Sequence, residues 1–266
     1  MRSALAMASA TDTGLVREHN EDSVAIDAAH GVALLADGMG GYNAGEVASG
    51  MAVAQLMQGL KIRLDGASLP EQDLESIVRE EVAKSNAAVY HAALAHTQYA
   101  GMGTTLVLAV FRDNLIMSAH IGDSRLYRLR GEQFEQLTRD HSLLQEEIEQ
   151  GVLSEDELAH YQHKNLVTRA LGVDPEVEVD VSAYPTQVGD IYLLCSDGLT
   201  DMASVDDIRD TIYLKRTNLK QAALALVKLA KDYGGRDNIA VALVKVCKPF
   251  PAHGGFFQSI GKRLFS

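Results

Sequence analysis

Four aspartates stand where apolar strand-like runs begin or end, each with glycine close by. In "GVALLADGMGG" the run Val32–Ala36 delivers Asp37 and Gly38, and in "YLLCSDGL" the run Tyr192–Cys195 delivers Asp197 and Gly198. "SAHIGDSRLYRL" sets Asp123 beside Gly122 between two strands, and "GGRDNIAVALVKV" puts Asp237 just ahead of a strongly apolar one. Carboxylates carried to neighbouring strand ends repel one another, and each resists ionisation. A divalent cation removes that conflict, and hard ions such as Mg²⁺ or Mn²⁺ take oxygen ligands in octahedral geometry while keeping several waters. Glycine after Asp37 lets a backbone carbonyl approach the same ion without a Cβ in the way. A single Asp-Gly is an ordinary turn; the recurrence at four strand boundaries points to a metal. No H-E-x-x-H and no zinc-type His/Cys spacing occurs, which favours the oxygen-preferring ions.

Arg17 stands upstream of the acidic pair Glu21–Asp22 in "TDTGLVREHNEDS". One reading is a surface ion pair worth little. The other is a guanidinium that grips phosphate oxygens by paired hydrogen bonds. Beside a metal cluster, phosphate chemistry is the economical reading.

These residues need a scaffold. Strand patterns fall at Val32–Ala36, Thr104–Phe111, Leu115–Ile121, Arg125–Arg130, Phe134–Leu137, Ile191–Cys195 and Ile239–Val246, with "FRDNL" and "LRGEQF" as hairpin turns. Helical periodicity covers Ala44–Leu60, Leu74–Leu94 and Leu219–Lys231, with shorter helices at Leu143–Gln150 and Asp206–Leu214. "SLPEQDLE" supplies Ser68, a proline and early acids as a helix start. Consecutive strands with helices outside them predict α+β layers rather than βαβ units. No linker or fold-sized repeat divides the chain, so one domain is expected.

Composition narrows the partners. The chain has 266 residues, 47% of them hydrophobic, and 24 Lys plus Arg against 36 Asp plus Glu for a formal charge of −12. That balance argues against nucleic acid or an anionic membrane as the main partner. The two cysteines, Cys195 and Cys247, lie in apolar runs and read as buried thiols of a reducing cytosol. "MRSALAMASA" imitates a signal peptide but is shorter than the roughly 15–30 residues such signals need. No run approaches the ~20 apolar residues of a membrane helix, so a cytoplasmic location is expected.

"GLVREHNEDS", "LLADGMGGYNAGEVAS", "GMGTTLV", "AHIGDSRLYRLR", "LTRDHS", "LVTRALG", "LLCSDGL" and "GGRDNIAVALV" occur in the order found in bacterial PP2C-type (PPM family) serine/threonine protein phosphatases. The resemblance spans about Ala8 to Val246. It implies a four-layer α/β/β/α sandwich, two antiparallel sheets flanked by helices, with the metal centre in a cleft at one end. The phosphatase domain would run over 1–247, with a flap at about 141–172 and a tail at 248–266. By position in the motifs, Asp37 would bridge two Mn²⁺ or Mg²⁺ ions, the Gly38 carbonyl would complete one site, and Asp197 and Asp237 would serve the other. Glu21 and Asp22 resemble outer-shell acids that hold metal-bound waters, Asp123 matches the acid for a third, weaker ion, and Asn238 would buttress the Asp237 loop or simply turn the chain. Two such ions lower the pKa of a bridging water and clamp the phosphoryl oxygens, while Arg17 offsets equatorial charge.

Animal relatives carry a histidine after the first Asp-Gly, where this chain has Met39. No general acid is therefore assigned, and His120 and His141, though near motifs, read as packed or surface residues. Cys195 lacks the arginine loop of a cysteine phosphatase. In the flap, Lys164 and Arg169 would bias peptide choice, or the segment is a plain solvated connection. The tail places Phe256, Phe257, Ile260, Leu264 and Phe265 on one helical face, either to meet a partner or membrane or to pack on its own domain. The partners implied are phosphorylated proteins and an opposing Hanks-type kinase, with a secretion-linked kinase raised by the tail. A nucleotide phosphodiesterase would use similar ions, but no base-stacking aromatic cluster supports it. A pseudophosphatase scaffold should have lost the metal acids, which are all present.

Overall fold

The continuous apolar runs are strands covered on both faces. The computed structural model describes residues 3–41, 44–65, 70–149, 151 and 166–250. One sheet has the order β1 (Leu5–Asp12), β11 (Ile239–Val246), β10 (Ile191–Cys195), β7 (Arg125–Arg130), β8 (Gln133–Gln136). The other has β2 (Asp22–Asp27), β3 (Val32–Met39), β5 (Leu106–Arg112), β6 (Leu115–Ile121), β9 (Asp180–Pro185), with the short β4 (Gly103–Thr104) on the end of β3. Every pairing is antiparallel.

Alternation along each strand sorts side chains between layers. Leu35, Val107 and Phe111 meet Tyr192, Leu194 and Val244 between the sheets. Leu34, Leu106 and Leu108 face the other way, onto Leu56 and Leu60 of α1 (Ala44–Leu64) and Val78 and Val82 of α2 (Glu71–Ala95). Leu193, Val241 and Leu243 face Ile208 and Ile212 of α5 (Val205–Lys215) and Leu226 of α6 (Leu219–Asp232). Among the described residues, the short helices α3 (Leu143–Glu149) and α4 (Asp197–Thr200) and a 3-10 turn at Thr97–Tyr99 complete the order. The expected four-layer α/β/β/α sandwich is present. A fully buried leucine contributes about 1.5–3 kcal/mol, so the three apolar layers dominate the fold's stability.

Local signals fix the joints. Asp113 and Asn114, at φ 51° and 61°, form the two-residue turn between β5 and β6, where both central residues need positive φ. Ser204 and Asn218 cap α5 and α6 by accepting the backbone N–H of Asp207 and Gln221.

Several elements differ from expectation. β1, β2 and β9 carried no strand pattern: β1 is built largely of small residues, and β2 and β9 are edge strands only partly buried. The predicted strand Thr104–Phe111 divides into β4 and β5. Cys195 is buried as expected, but Cys247 lies one residue past β11 and is exposed. Packing continues beyond Cys247 to Phe250, which is 7% exposed among the residues between the sheets. Ser68, Lys164 and the apolar face predicted for Phe256–Phe265 lie outside the described residues. Among those described, no helix is long and apolar enough to cross a membrane.

Candidate metal centre

At one end of the sandwich a cavity of about 270 Å³ is lined by Glu21, Asp37, Asp123, Asp197 and Asp237, together with Arg17, Asn238 and the Gly38 backbone. The acids come from both sheets. Asp37 ends the core-forming part of β3, and register puts it opposite Asp22 on β2. Its peptide is held on three sides: its N–H donates to Thr105 Oγ1 at 3.0 Å, while its carbonyl accepts from Thr104 Oγ1 and the Thr105 N–H, both at 2.8 Å. Asp197 opens α4 directly after β10, and Asp237 lies in the loop entering β11.

Asn238 ties that loop to the N-terminal segment. Its Oδ1 accepts from the Glu21 N–H at 2.8 Å, and its Nδ2 donates to the carbonyls of Thr13 and His19 at 2.9 and 2.8 Å. Arg17 reaches across to donate to Asp237 Oδ2 at 2.7 Å while its side chain stays 52% exposed. A guanidinium so placed stands at the mouth of the cavity, close to the acids.

Gly38 has a further reason to be glycine. A Cβ there would meet the Gly45 carbonyl oxygen at 2.1 Å, so the missing side chain admits the start of α1. At Gly198 a Cβ would lie 1.9 Å from the Asn238 carbonyl oxygen, so that glycine lets the two acidic loops touch.

The electrostatics favour a cation. Asp37 and Asp197 are half-buried and line the cavity, and both are pushed well above the ordinary carboxylate range. Burial is the main cause, followed by the charges of neighbouring acids: Asp22, Asp197 and Asp123 at Asp37, and Asp123, Asp201 and Asp237 at Asp197. Burial raises Asp22 to about 7 against the lowering effect of Ser196, and raises Asp123 to about 6 with help from Asp140. Glu21 is also raised by burial. Asp22 Oδ1 and Asp197 Oδ1 are buried without a hydrogen-bond partner. Orphaned carboxylate oxygens beside crowded acids fit hard divalent ions better than any arrangement of protein donors.

Sequence reasoning missed the supports. Ser196 Oγ donates to Asp22 Oδ2 at 2.7 Å and accepts the Ala240 N–H at 3.0 Å, joining the two sheets beneath the acids. Thr105 Oγ1 also meets Ser124 Oγ at 2.7 Å. The only sequence signals were the serine ahead of Asp197 and the threonine pair in "GTTLV". Met39 lines the cavity where animal relatives carry histidine. Arg169 is not among the lining residues; it pairs with Asp180 at 3.3 Å and Glu178 at 3.9 Å. His120 and His141 are buried and stacked at 4.7 Å, and burial lowers the pKa of both.

With this geometry in view, comparison with known proteins gives a consistent answer. The family model described as protein phosphatase 2C matches residues 15–229. The serine/threonine phosphatase stp of Listeria welshimeri is 40% identical over 238 residues, covering 88% of this chain and 93% of the relative. The catalytic domain of the serine/threonine phosphatase PstP, solved in complex with two manganese ions, is 36% identical with a TM-score of 0.81, covering 92% of this chain and 99% of that one. PppA of Pseudomonas aeruginosa, described as a key regulatory component of T6SS, is 34% identical with a TM-score of 0.78, covering 91% of this chain and 97% of that one. The acidic cleft thus sits on a sandwich shared, at 36–40% identity over about nine-tenths of its length, with serine/threonine phosphatases, one of them solved with two manganese ions: this chain belongs to the protein phosphatase 2C family of serine/threonine phosphatases.

Proposed function

We propose that this protein hydrolyses phosphoserine and phosphothreonine in protein substrates at a centre holding two Mn²⁺ or Mg²⁺ ions, with a third held more weakly at Asp123. The observation that carries the reading is the convergence of Asp37, Asp197, Asp237 and Asp123 from separate strands around one cavity with Arg17 at its edge. Asp37, which feels the charges of Asp22, Asp197, Asp123 and Asp237, would bridge the pair, the Gly38 carbonyl would complete one site, and Asp197 and Asp237 would hold the other. Bound there, such ions supply a nucleophile at neutral pH and neutralise phosphoryl charge. Glu21 and Asp22 would accept from waters around the ions. Arg17, freed from Asp237 once that carboxylate turns to a cation, would donate to the phosphate oxygens. The likeness to PstP with its two manganese ions supports the dinuclear count.

The phosphorylated proteins would come from an opposing Hanks-type kinase. The likeness to PppA supports placing that kinase beside a secretion system. Two unpaired cysteines favour a cytoplasmic, reducing location. In the test, metal-stripped protein is assayed on phosphopeptides and on nucleotide diesters with and without Mn²⁺. Mn²⁺-dependent release of phosphate from the peptides alone is expected. Preference for the diesters, or unchanged turnover in Asp37→Asn, would overturn the reading.

A further inference from the structure

Outside the cleft, His120, His141 and Asp180 offer ligand atoms within 4.8 Å of one another. Their hydrogen bonds show that this is not a second cation site. His120 Nε2 lies 2.7 Å from the Arg139 carbonyl, so that nitrogen carries its proton. His141 Nδ1 accepts the Gly122 N–H at 3.2 Å, so the proton of its neutral ring sits on Nε2, toward Asp180 Oδ2 at 3.4 Å. Arg169 donates to the same carboxylate at 3.3 Å and stands 3.5 Å from His141 Nε2. A cation there would face a guanidinium and a ring nitrogen already protonated.

What the cluster grips is the turn that carries Asp123. His141 holds both polar groups of Gly122: the imidazole accepts its N–H, and the His141 backbone N–H donates to its carbonyl at 2.9 Å. Gly122 is at φ 94°, a left-handed conformation, and the next residue is Asp123. On the far side of Asp123, Arg125 makes a forked pair with Asp140 at 2.6–3.1 Å. Adjacent residues 140 and 141 thus clamp the turn on both sides of the acid. The same histidine accepts the Thr168 N–H at 2.8 Å, beside the bridge between Ser142 and Val167, and Val167 lines the cleft.

We propose that His141 is a positioning residue that, through its Nδ1 and the Gly122 peptide, aims the Asp123 carboxylate and so sets the affinity of the weakly held divalent cation. This rests on the reading of Asp123 as a ligand. The experiment measures Mn²⁺ binding to the full chain by EPR of free Mn²⁺, alongside thermal melting in EDTA and the Mn²⁺ concentration for half-maximal turnover. His141→Asn keeps an acceptor where Nδ1 stands, whereas His141→Gln puts its amide toward Asp180 and His141→Phe keeps only the ring shape. The Phe and Gln variants should weaken the lower-affinity Mn²⁺ class about tenfold, in the range for loss of a group that orients a ligand, and Asn should restore it. Combining His141→Phe with Asp123→Asn should weaken binding no further than Asp123→Asn alone. If the Phe variant does not fold, the contrast between Asn and Gln decides. Equal binding by Asn and Gln, wild-type binding by Gln or Phe, or additive losses would overturn the proposal. An Asp123→Asn variant that itself binds like the wild type would instead remove the ligand reading beneath it.

Discussion

The two walls of the cleft are built in different ways. One carries Asp37 on β3, paired in register with Asp22 behind it on β2, and Asp197 and Asp237 each two residues from the ladder between β10 and β11. The other carries Asp123 on a glycine turn held from outside by the side chains of Asp140 and His141. A ladder positions its acids through many backbone bonds, so losing one supporting side chain should matter little. A turn depends on its few clamps. The first wall should therefore fail when a ligand changes, and the second when a support changes.

The largest expected effect tests the first wall directly. Asp37→Asn should cut turnover by more than the roughly 10–100-fold typical of losing an orienting neighbour, while making the metal-free protein more stable. Removing one of several crowded charges relieves repulsion, and 1 kcal/mol is worth about 2–4 °C in a domain of this size. A melting temperature in EDTA that falls with this substitution would contradict the picture of mutually repelling acids.

Arg17→Ala comes next, with a loss of about 10²-fold in kcat/KM, comparable to removing one donor that stabilises transition-state charge. Mn²⁺ binding should be unchanged or slightly tighter, because Asp237 loses its competing partner at 2.7 Å. Calorimetry with Mn²⁺ checks this, and weaker binding would contradict it.

Ser196→Ala should cost less Mn²⁺ affinity than His141→Phe. The register Asp22↔Asp37 remains when the Ser196 hydroxyl is gone. The reverse order would break the comparison between the walls.

Acidity gives a milder test. The Asp22 carboxyl is raised to about 7 and that of Asp123 to about 6, from 3.8 in an unfolded chain. The folded state therefore holds protons that the unfolded chain has released, so this contribution favours the fold at low pH and disappears as pH rises through about 6–7. Melting in EDTA should show the acids' contribution lower at pH 8 than at pH 5, with Mn²⁺ restoring stability most at the higher pH. The smallest effect belongs to Asn218→Ala, which removes the α6 cap for about 1 kcal/mol and should leave Mn²⁺ binding alone.

What could be read from the sequence follows the same division. Asp37, Asp197 and Asp237 announced themselves because an apolar run stops at or starts from each. The hairpin at Asp113–Asn114 and the amphipathic α6 were equally plain, since turn chemistry and helical periodicity are local. β1 stayed hidden because its small residues show no alternation, although it pairs with the whole of β11 from Leu5↔Val246 to Asp12↔Ile239. Ser196 and Asp22 are separated by 174 positions, so no spacing reveals their bond. Arg169 reads as a flap cation, and its partner Asp180 on β9 lies eleven positions away, beyond any motif that names the pair. His141 looked like a packed residue, and its role depends on a turn nineteen positions away.

The place where Phe250 is anchored has a practical side. Its N–H donates to Asn114 Oδ1 at 2.7 Å, beside the hairpin turn, and the nearby Val110 pairs with Val32 at the start of β3. Asp37 lies five residues further along that strand, roughly 16 Å away at about 3.3 Å per residue. Tethering the protein to a sensor chip through a linker joined near Phe250 would turn the acidic mouth toward the flowing solution, leaving it open to bulky analytes.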